Sequence, residues 1–280
     1  MKRPDRKIEI MGIVNLTDDS YYAPSRCGGQ ESVSVAALRI ADLIDEGADI
    51  IDLGACSTRP GALPVGAEEE WKRLGPVLGT MLEDFPGQKV SIDTYHSSVV
   101  EKAYGLMAER LGPEAVRNSL IVNDISAGED DPCMLPLAGR LGLKYIAMHK
   151  RGDSMTMHSL CDYEDVVAEV RSYFEAFAIK AARHGVTDWI LDPGFGFAKN
   201  IEQNYQLLSG LDMLADDDRR ILVGVSRKSM IYKRFGLTPE EALPATQVLH
   251  LKALQLGADI LRVHDVAEAA RTVELYRALR

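Results

Sequence analysis

The chain has 280 residues, and 46% of them are hydrophobic, enough for a large core in two ordinary domains or in one large α/β barrel. This composition excludes a disordered or fibrous protein. The formal net charge is −10, and no local basic patch is evident, so neither nucleic acid nor an anionic membrane is expected as a partner.

The apolar runs and the cysteine spacing in the sequence indicate the cellular compartment that we expect for the protein. The chain contains no run of the ~18 apolar residues that a membrane span requires, and no apolar leader precedes the first predicted strand. The cysteines at positions 27, 56, 133 and 161 follow neither a metal-ligand nor a CxxC spacing. We therefore expect a soluble, cytoplasmic protein with free thiols.

Short apolar runs alternate with longer amphipathic segments along the whole chain. The runs are residues 8–15, 49–54, 89–93, 120–124, 144–149, 189–194, 221–228 and 260–265. Segments 32–48 and 163–185 repeat apolar residues every three or four positions, which predicts helices, and Gly47, Gly142, Gly185 and Gly257 are expected at helix C-terminal ends. Eight such units predict a single (β/α)₈ TIM barrel domain over residues 1–280, with a doubly wound open sheet as the alternative.

Nearly every predicted strand ends in polar residues. These are Asn15, Asp52, Asp93, Asn123, Asp124, His149, Asp192, Lys228, Arg262 and His264. The strands of a parallel barrel all end on one face, and barrel enzymes build their active sites there. Any one of these residues taken alone is also explained as a helix cap or a loop-stabilising group. Together they predict an active site.

Basic groups are concentrated at the last two strands, where barrels commonly bind phosphate. Lys228 lies in "VSRKS", and Arg262 and His264 lie in "RVH". A planar guanidinium, an ammonium and an imidazole are all suitable donors to phosphate oxygens. A phosphate-bearing substrate is therefore expected; the alternative is that these groups form surface ion pairs.

Three other predicted strands have a carboxylate or an amide at their ends. These residues are Asp93 on strand 3, Asn123 on strand 4 and Asp192 on strand 6. A carboxylate accepts paired ring N–H and amino hydrogens, and an amide both donates and accepts. This set is therefore suited to one edge of a guanine-like or pterin ring. Carboxylates on neighbouring strands also suit Mg²⁺, and the residues alone leave both interpretations open.

Two glycine-rich segments add candidate site residues. "STRPG" places Arg59 beside a rigid Pro60–Gly61 turn, so that its guanidinium could cover a bound anion, although an ordinary exposed loop is also consistent. In "DPGFGF", residues 192–197, the glycines permit close approach of the backbone to a ligand, and Phe195 or Phe197 could provide an aromatic wall. No dinucleotide-binding, phosphate-loop, serine-hydrolase or zinc-protease motif is evident.

In order along the chain, these segments resemble the dihydropteroate synthase family. The matching motifs are "IMGIVNLTDDS", "GADIIDLGACSTRPGA", "VSIDTYHSSVVEKA", "IVNDISAG", "MHKRG", "LDPGFGFAKNIEQN", "LVGVSRKS" and "LRVHDV". The resemblance implies an enzyme of folate synthesis that condenses 6-hydroxymethyl-7,8-dihydropterin diphosphate with p-aminobenzoate and releases diphosphate. It also implies a homodimer and a target of sulfonamides.

The resemblance assigns roles by motif position. The pterin would be held by Asp93, Asn123, Asp192 and Lys228, and the diphosphate by Arg59, Arg262 and His264, with Mg²⁺ bound at Asn15. The p-aminobenzoate would lie near Thr58, Pro60, Phe197 and Ser229, under Tyr21. The reaction would be a dissociative displacement that requires no histidine as general base, because an N-protonated arylamine is already acidic.

The sequence departs from the family pattern in two places. Ala23 and Pro24 occupy positions where an aspartate and a glycine are usual in the first loop, and Ala55–Cys56 replaces a frequent Gly-Glu. The alternatives are therefore an inactive pterin-binding paralogue and a pterin-dependent methyltransferase. A barrel aldolase with a Schiff base on Lys228 is a further alternative.

Overall fold

Eight parallel strands close into a barrel in the computed structural model, which describes residues 6–17, 32–56, 65–152, 156, 160–215 and 219–280. The strands are β1 Glu9–Asn15, β2 Ile50–Gly54, β3 Lys89–Asp93, β4 Leu120–Asp124, β5 Lys144–Met148, β6 Trp189–Asp192, β7 Arg220–Val223 and β8 Ile260–Val263. Each strand pairs with its neighbour in sequence, and β1 pairs with β8 to complete the ring. The predicted TIM barrel is thus confirmed.

Helices follow the strands and cover the barrel. They are α1 Ser32–Asp45, α2 Ala67–Asp84, α3 Ser97–Leu111, α4 Pro113–Ser119, α5 Met134–Leu141, α6 Val166–Arg183, α7 Ile201–Ser209, α8 Ser229–Phe235, α9 Leu243–Gln255 and α10 Val266–Ala278. The four glycines predicted at helix ends all have positive φ, as expected. Within the described ranges, every helix falls short of the length and apolar character that a membrane crossing needs.

The last three strands end earlier than the sequence predicted. Strand β6 ends at Asp192, because Pro193 has no N–H to continue the ladder. Strand β7 ends at Val223, and the following turn reaches a positive φ of 52° at Arg227. Strand β8 ends at Val263. Lys228 and His264 therefore lie just beyond their strands.

The interior of the barrel is layered because alternate residues of a strand point to the same face. The middle layer is an apolar cluster formed by Met11, Ile50, Ile121, Ile146, Ile190, Leu222 and Ile260. Two residues further along four of these strands lie Asp52, Asn123, Asp192 and Arg262. The alternation of the strands thus places a polar layer directly above an apolar floor.

A buried ion network closes the opposite end of the barrel. Glu9 is only 3% exposed, and its carboxylate accepts a hydrogen bond of 2.6 Å from Lys89 Nζ and another from Arg220. Burial alone would raise the pKa of Glu9, but these two cations more than offset it and leave that pKa below its ordinary value. The network therefore favours the folded state when Glu9 is ionised.

We predict that Glu9→Gln removes part of the acid sensitivity of the fold. The native pKa of Glu9 lies below its ordinary value of 4.5, so the stabilisation is present above pH 4.5 and is lost as the pH falls through the native pKa. Near neutral pH, urea unfolding should show that Glu9→Gln lowers the free energy of unfolding by about 1–3 kcal/mol. This difference from the parent should become smaller as the pH is lowered. Glu109→Gln on the exposed face of α3 is the control. A decrease in the free energy of unfolding that does not change with pH would contradict the role of ionised Glu9.

Candidate functional site

Arg262 lies at the centre of the polar layer and bridges two carboxylates from neighbouring strands. Its Nε donates to Asp52 Oδ2 over 2.7 Å, and its Nη2 donates to Asp93 Oδ2 over 2.6 Å. Asp52 is fully buried and also accepts a hydrogen bond of 3.2 Å from Asn123 Nδ2. Strands β2, β3, β4 and β8 are therefore joined by one polar network at the mouth of the barrel.

The pKa of Asp93 is raised to about 7 in this network. Burial is the main cause, and the negative charge of Asp52 adds to it, whereas Arg262 opposes it. Burial thus makes the ionised form of Asp93 more costly than that of an exposed carboxyl group, although Asp93 contacts a guanidinium. N–H donors of a ligand would stabilise this buried carboxylate in place of water.

Asp192 and Lys228 form the adjoining part of the site. Asp192 Oδ1 accepts a hydrogen bond of 2.8 Å from Gly194 N, and burial raises the pKa of this carboxyl while Lys228 opposes the shift. Burial also lowers the pKa of Lys228 to about 8, against the attraction of Asp192. Lys228 Nζ donates to the carbonyl of Phe195 and lies 5.0 Å from the centroid of the Phe197 ring.

His264 lies beside these groups in a strongly cationic environment. Its Nδ1 is 3.0 Å from Ser226 Oγ, and its carbonyl accepts from Arg39 over 2.8 Å. Burial lowers the pKa of His264 to about 3, assisted by the charges of Arg262, Arg227, Lys228 and Arg39. The imidazole is therefore neutral at physiological pH, in surroundings that favour an anion.

The segment that carries Lys228 is fixed by Arg227. This arginine makes two hydrogen bonds of 2.8 Å to the carboxylate of Asp265 and also donates to the carbonyls of Pro239 and Glu240. A paired guanidinium of this kind holds its partner in a defined geometry. The neighbouring Lys228 and Ser229 are consequently presented from a rigid turn.

The structure brings most of the predicted site residues together. Asp93, Asn123, Asp192, Lys228, Arg262 and His264 all lie at the C-terminal mouth, where Phe197 and Ser229 flank Lys228. Asn15 pairs in register with Gly54, which itself pairs with Asp93. Tyr21, Thr58, Arg59 and Pro60, together with Ala23 and Pro24, lie outside the described residues.

Two of the polar strand ends do not join the site. Asp124 points outward and accepts hydrogen bonds from Tyr145 Oη over 2.5 Å and from Ser126. His149 instead contacts Lys199 Nζ, with 2.9 Å between Nδ1 and Nζ. Asp52 was predicted among the polar strand ends but without a role, and Arg227 and Lys199 were not predicted as site residues. Asp52 had a detectable signal, since it ends a strand two residues after a residue of the apolar layer.

Comparisons with known proteins show the family to which this chain belongs. Residues 11–264 match the family described as pterin binding enzyme. A dihydropteroate synthase of Escherichia coli is 36% identical over 272 residues, which cover 96% of this chain and 90% of that protein. The Yersinia pestis dihydropteroate synthase solved with a sulfonamide drug superposes with a TM-score of 0.87 at 30% identity, covering 98% of this chain and 94% of that one.

A third relative was solved with a pteridine product. The Xanthomonas albilineans dihydropteroate synthase in complex with 7,8-dihydropteroate has a TM-score of 0.81 at 30% identity. The matched region covers 98% of this chain and 93% of that one. Similarity therefore extends along almost the whole length of each relative.

We predict that Asp93→Asn changes how stability depends on pH. The native pKa of Asp93 is about 7, above its ordinary value of 3.8, so between these values the folded state holds a proton that the unfolded state releases. The contribution of Asp93 to the free energy of unfolding should therefore fall by roughly 1–4 kcal/mol as the pH rises from about 4 to about 7.

Asp93→Asn should remove this contribution, so the difference in free energy of unfolding between this variant and the parent should change with pH, and the difference for Asp42→Asn, on an exposed position of α1, should not. Urea denaturation at several pH values measures both variants. A difference for Asp93→Asn that does not change with pH would contradict the raised pKa.

Proposed function

Because this chain belongs to the family of pterin-binding enzymes that includes the dihydropteroate synthases, we propose that it condenses 6-hydroxymethyl-7,8-dihydropterin diphosphate with p-aminobenzoate. The products are 7,8-dihydropteroate and diphosphate. The observation that carries this proposal is the arrangement of the barrel mouth. Asp93, Asn123 and Asp192 form an accepting surface, and the cations around His264 lie beside it.

The accepting surface would hold the edge of the pterin ring. Asp93 and Asp192 would accept ring N–H and amino hydrogens, and Lys228 would donate to the ring. The amide nitrogen of Asn123 is directed at Asp52, so its carbonyl oxygen is oriented as a further acceptor. Burial of both aspartates favours a ligand that donates to them, because each carboxylate is costly to leave without partners.

The diphosphate would lie against Arg262 and His264, with Arg59 as a third group. In the substrate-free protein Arg262 is held by Asp52 through Nε and Nη2 and by Asp93 through Nη2. Ring hydrogens that bind Asp93 would compete with the Nη2 contact. We propose that Arg262 then turns its terminal nitrogens to the diphosphate while Nε stays on Asp52.

Asn15 is the residue that would bind Mg²⁺. A Cβ placed on Gly54 would lie 3.8 Å from Asn15 Oδ1 and 3.6 Å from Asp93 Oδ2, so the glycine leaves a small space between two oxygens suited to this ion. Among the described residues, no group of three or more His, Cys, Asp and Glu side chains is placed to hold a metal. Diphosphate oxygens and water would complete the coordination. When bound, Mg²⁺ would stabilise negative charge on the leaving diphosphate.

The reaction would proceed by cleavage of the bond between the pterin methylene carbon and the diphosphate oxygen. The bonding electrons leave with diphosphate, whose growing charge Arg262 stabilises. The buried carboxylates Asp93 and Asp192 stabilise the electron-poor pterin. The arylamine nitrogen then forms the new C–N bond and loses its proton to water or to diphosphate. His264 is not required as a general base, because an N-protonated arylamine is already acidic.

The experiment that tests this proposal is incubation of the purified protein with both substrates, with and without Mg²⁺. Mass spectrometry identifies dihydropteroate, and a coupled assay measures diphosphate release. Formation of both products only with Mg²⁺ is the expected result. Pterin binding without product would instead indicate an inactive paralogue, and a borohydride-trapped adduct on Lys228 would indicate Schiff-base chemistry.

We further predict that Arg262→Lys lowers kcat/KM by about 10²–10³-fold. A lysine retains a cation for Asp52 and Asp93 but loses the planar fork that reaches the diphosphate. Binding of 7,8-dihydropterin without its diphosphate, measured by calorimetry, should change by less than about threefold. Arg277→Lys on the exposed end of α10 is the control. Equal loss of turnover and of dihydropterin binding would contradict the role of Arg262.

A further inference from the structure

Lys199 is a buried lysine that the reaction above does not use. It is only 6% exposed, and its ammonium group contacts three acceptors. Nζ donates to the carbonyl of Gly194 over 3.1 Å, to the carbonyl of Phe197 over 3.0 Å and to His149 Nδ1 over 2.9 Å. Since an ammonium carries three hydrogens, each of them has one partner.

The cost of burying this group indicates that its contacts matter. Burial lowers the pKa of Lys199 to about 7, although the charge of Asp192 opposes the shift. His149 is neutral, because burial and the nearby Lys199 lower its pKa to about 2, so its Nδ1 accepts the lysine hydrogen. An apolar side chain of similar length would fill the same space without this desolvation cost.

The contacts of Lys199 determine the course of residues 193–200, the segment between β6 and α7. The segment has positive φ at Gly194, Gly196 and Ala198, a conformation that alanine adopts only under strain. From the side of α7, Asn204 Oδ1 accepts from Gly196 N over 2.7 Å, and Asn204 Nδ2 donates to the carbonyl of Lys199 over 3.1 Å. The segment is therefore held from beneath by two buried polar side chains.

This segment presents Phe197 to the mouth of the barrel. Phe197 is partly exposed, in contrast to the fully buried Phe195, and its ring lies 5.0 Å from Lys228 Nζ. The carbonyl of Phe197 is one of the three acceptors of Lys199. Asp192, in contrast, belongs to β6 and pairs in register with Met148 on β5, so its position does not depend on Lys199 alone.

We propose that Lys199 is a positioning residue for the arylamine substrate. By holding the carbonyls of Gly194 and Phe197, it fixes the Phe197 ring as the wall against which p-aminobenzoate binds. This inference rests on the proposed function, in which Phe197 contacts the arylamine while Asp93, Asn123 and Asp192 contact the pterin. Loss of the Lys199 ammonium therefore affects the two substrates unequally.

The test is steady-state kinetics of Lys199→Met with each substrate varied in turn. The KM for p-aminobenzoate should rise about tenfold, the size expected for loss of hydrogen bonds from a charged donor. The KM for the pterin diphosphate should stay within about twofold. The amide of Phe197, which donates to the carbonyl of Gly194 over 3.1 Å, should also exchange its hydrogen faster.

A double-mutant cycle separates positioning from general destabilisation. If Lys199 acts through Phe197, then Lys199→Met should raise the KM for p-aminobenzoate much less in a Phe197→Ala background than in the parent. Lys199→Gln, which keeps an amide donor, should have a smaller effect, and it replaces the methionine variant if that protein does not fold.

Lys180→Met is the matched control. Lys180 on α6 also donates to two loop carbonyls, those of Ala127 and Gly128, but the loop that it holds follows β4. It should lower stability without changing the ratio of the two KM values. Equal changes in both KM values for Lys199→Met, or full additivity with Phe197→Ala, would overturn the inference. Absence of turnover in the parent would instead overturn the proposed function, and this inference with it.

Discussion

The site depends on the hydrogen-bonded ion pairs that join Arg262 to Asp52 and Asp93. Each of these side chains would be costly to bury alone, and together they place two carboxylates around one guanidinium at the mouth of the barrel. Burial, together with the negative charge of Asp52, keeps the pKa of Asp93 far above that of an exposed carboxyl group, although Arg262 opposes the shift. The free protein thus holds its own acceptors and donors in mutual contact, and a ligand that supplies both can replace those contacts.

The barrel makes this arrangement possible through the regular alternation of its strands. The layer of Ile50, Ile121, Ile190 and Ile260 excludes water from below, and the next layer of the same strands supplies the polar groups. At the far end, Glu9 and its two basic partners close the barrel away from the site. Loop residues then position further side chains at the mouth of the barrel. Arg227 fixes the turn that carries Lys228, and Lys199 fixes the segment that carries Phe197.

Sequence patterns were sufficient to predict the barrel and much of the site, because both follow from local periodicity. Asp93, Asn123, Asp192 and Arg262 were predicted to lie on one face, since parallel strands end there, but the contact of Arg262 with Asp93 was not predicted. Pairing across the fold was not predictable. Arg227 pairs with Asp265, which lies 38 positions later in the sequence, and nothing in "SRKS" distinguishes this structural arginine from the site lysine beside it. Lys199 follows "DPGFGF" like a surface residue, and only the folded chain reveals its three buried acceptors.

The central claim is that substrate binding exchanges the Asp93 contact of Arg262 for a diphosphate contact. The most direct measurement is a crystal structure of the protein with 6-hydroxymethyl-7,8-dihydropterin diphosphate and without p-aminobenzoate. We expect pterin hydrogens on Asp93 and Asp192, Arg262 Nε still on Asp52, and the terminal guanidinium nitrogens on diphosphate oxygens. A bound substrate whose diphosphate does not contact Arg262, with the Arg262–Asp93 pair intact, would contradict it.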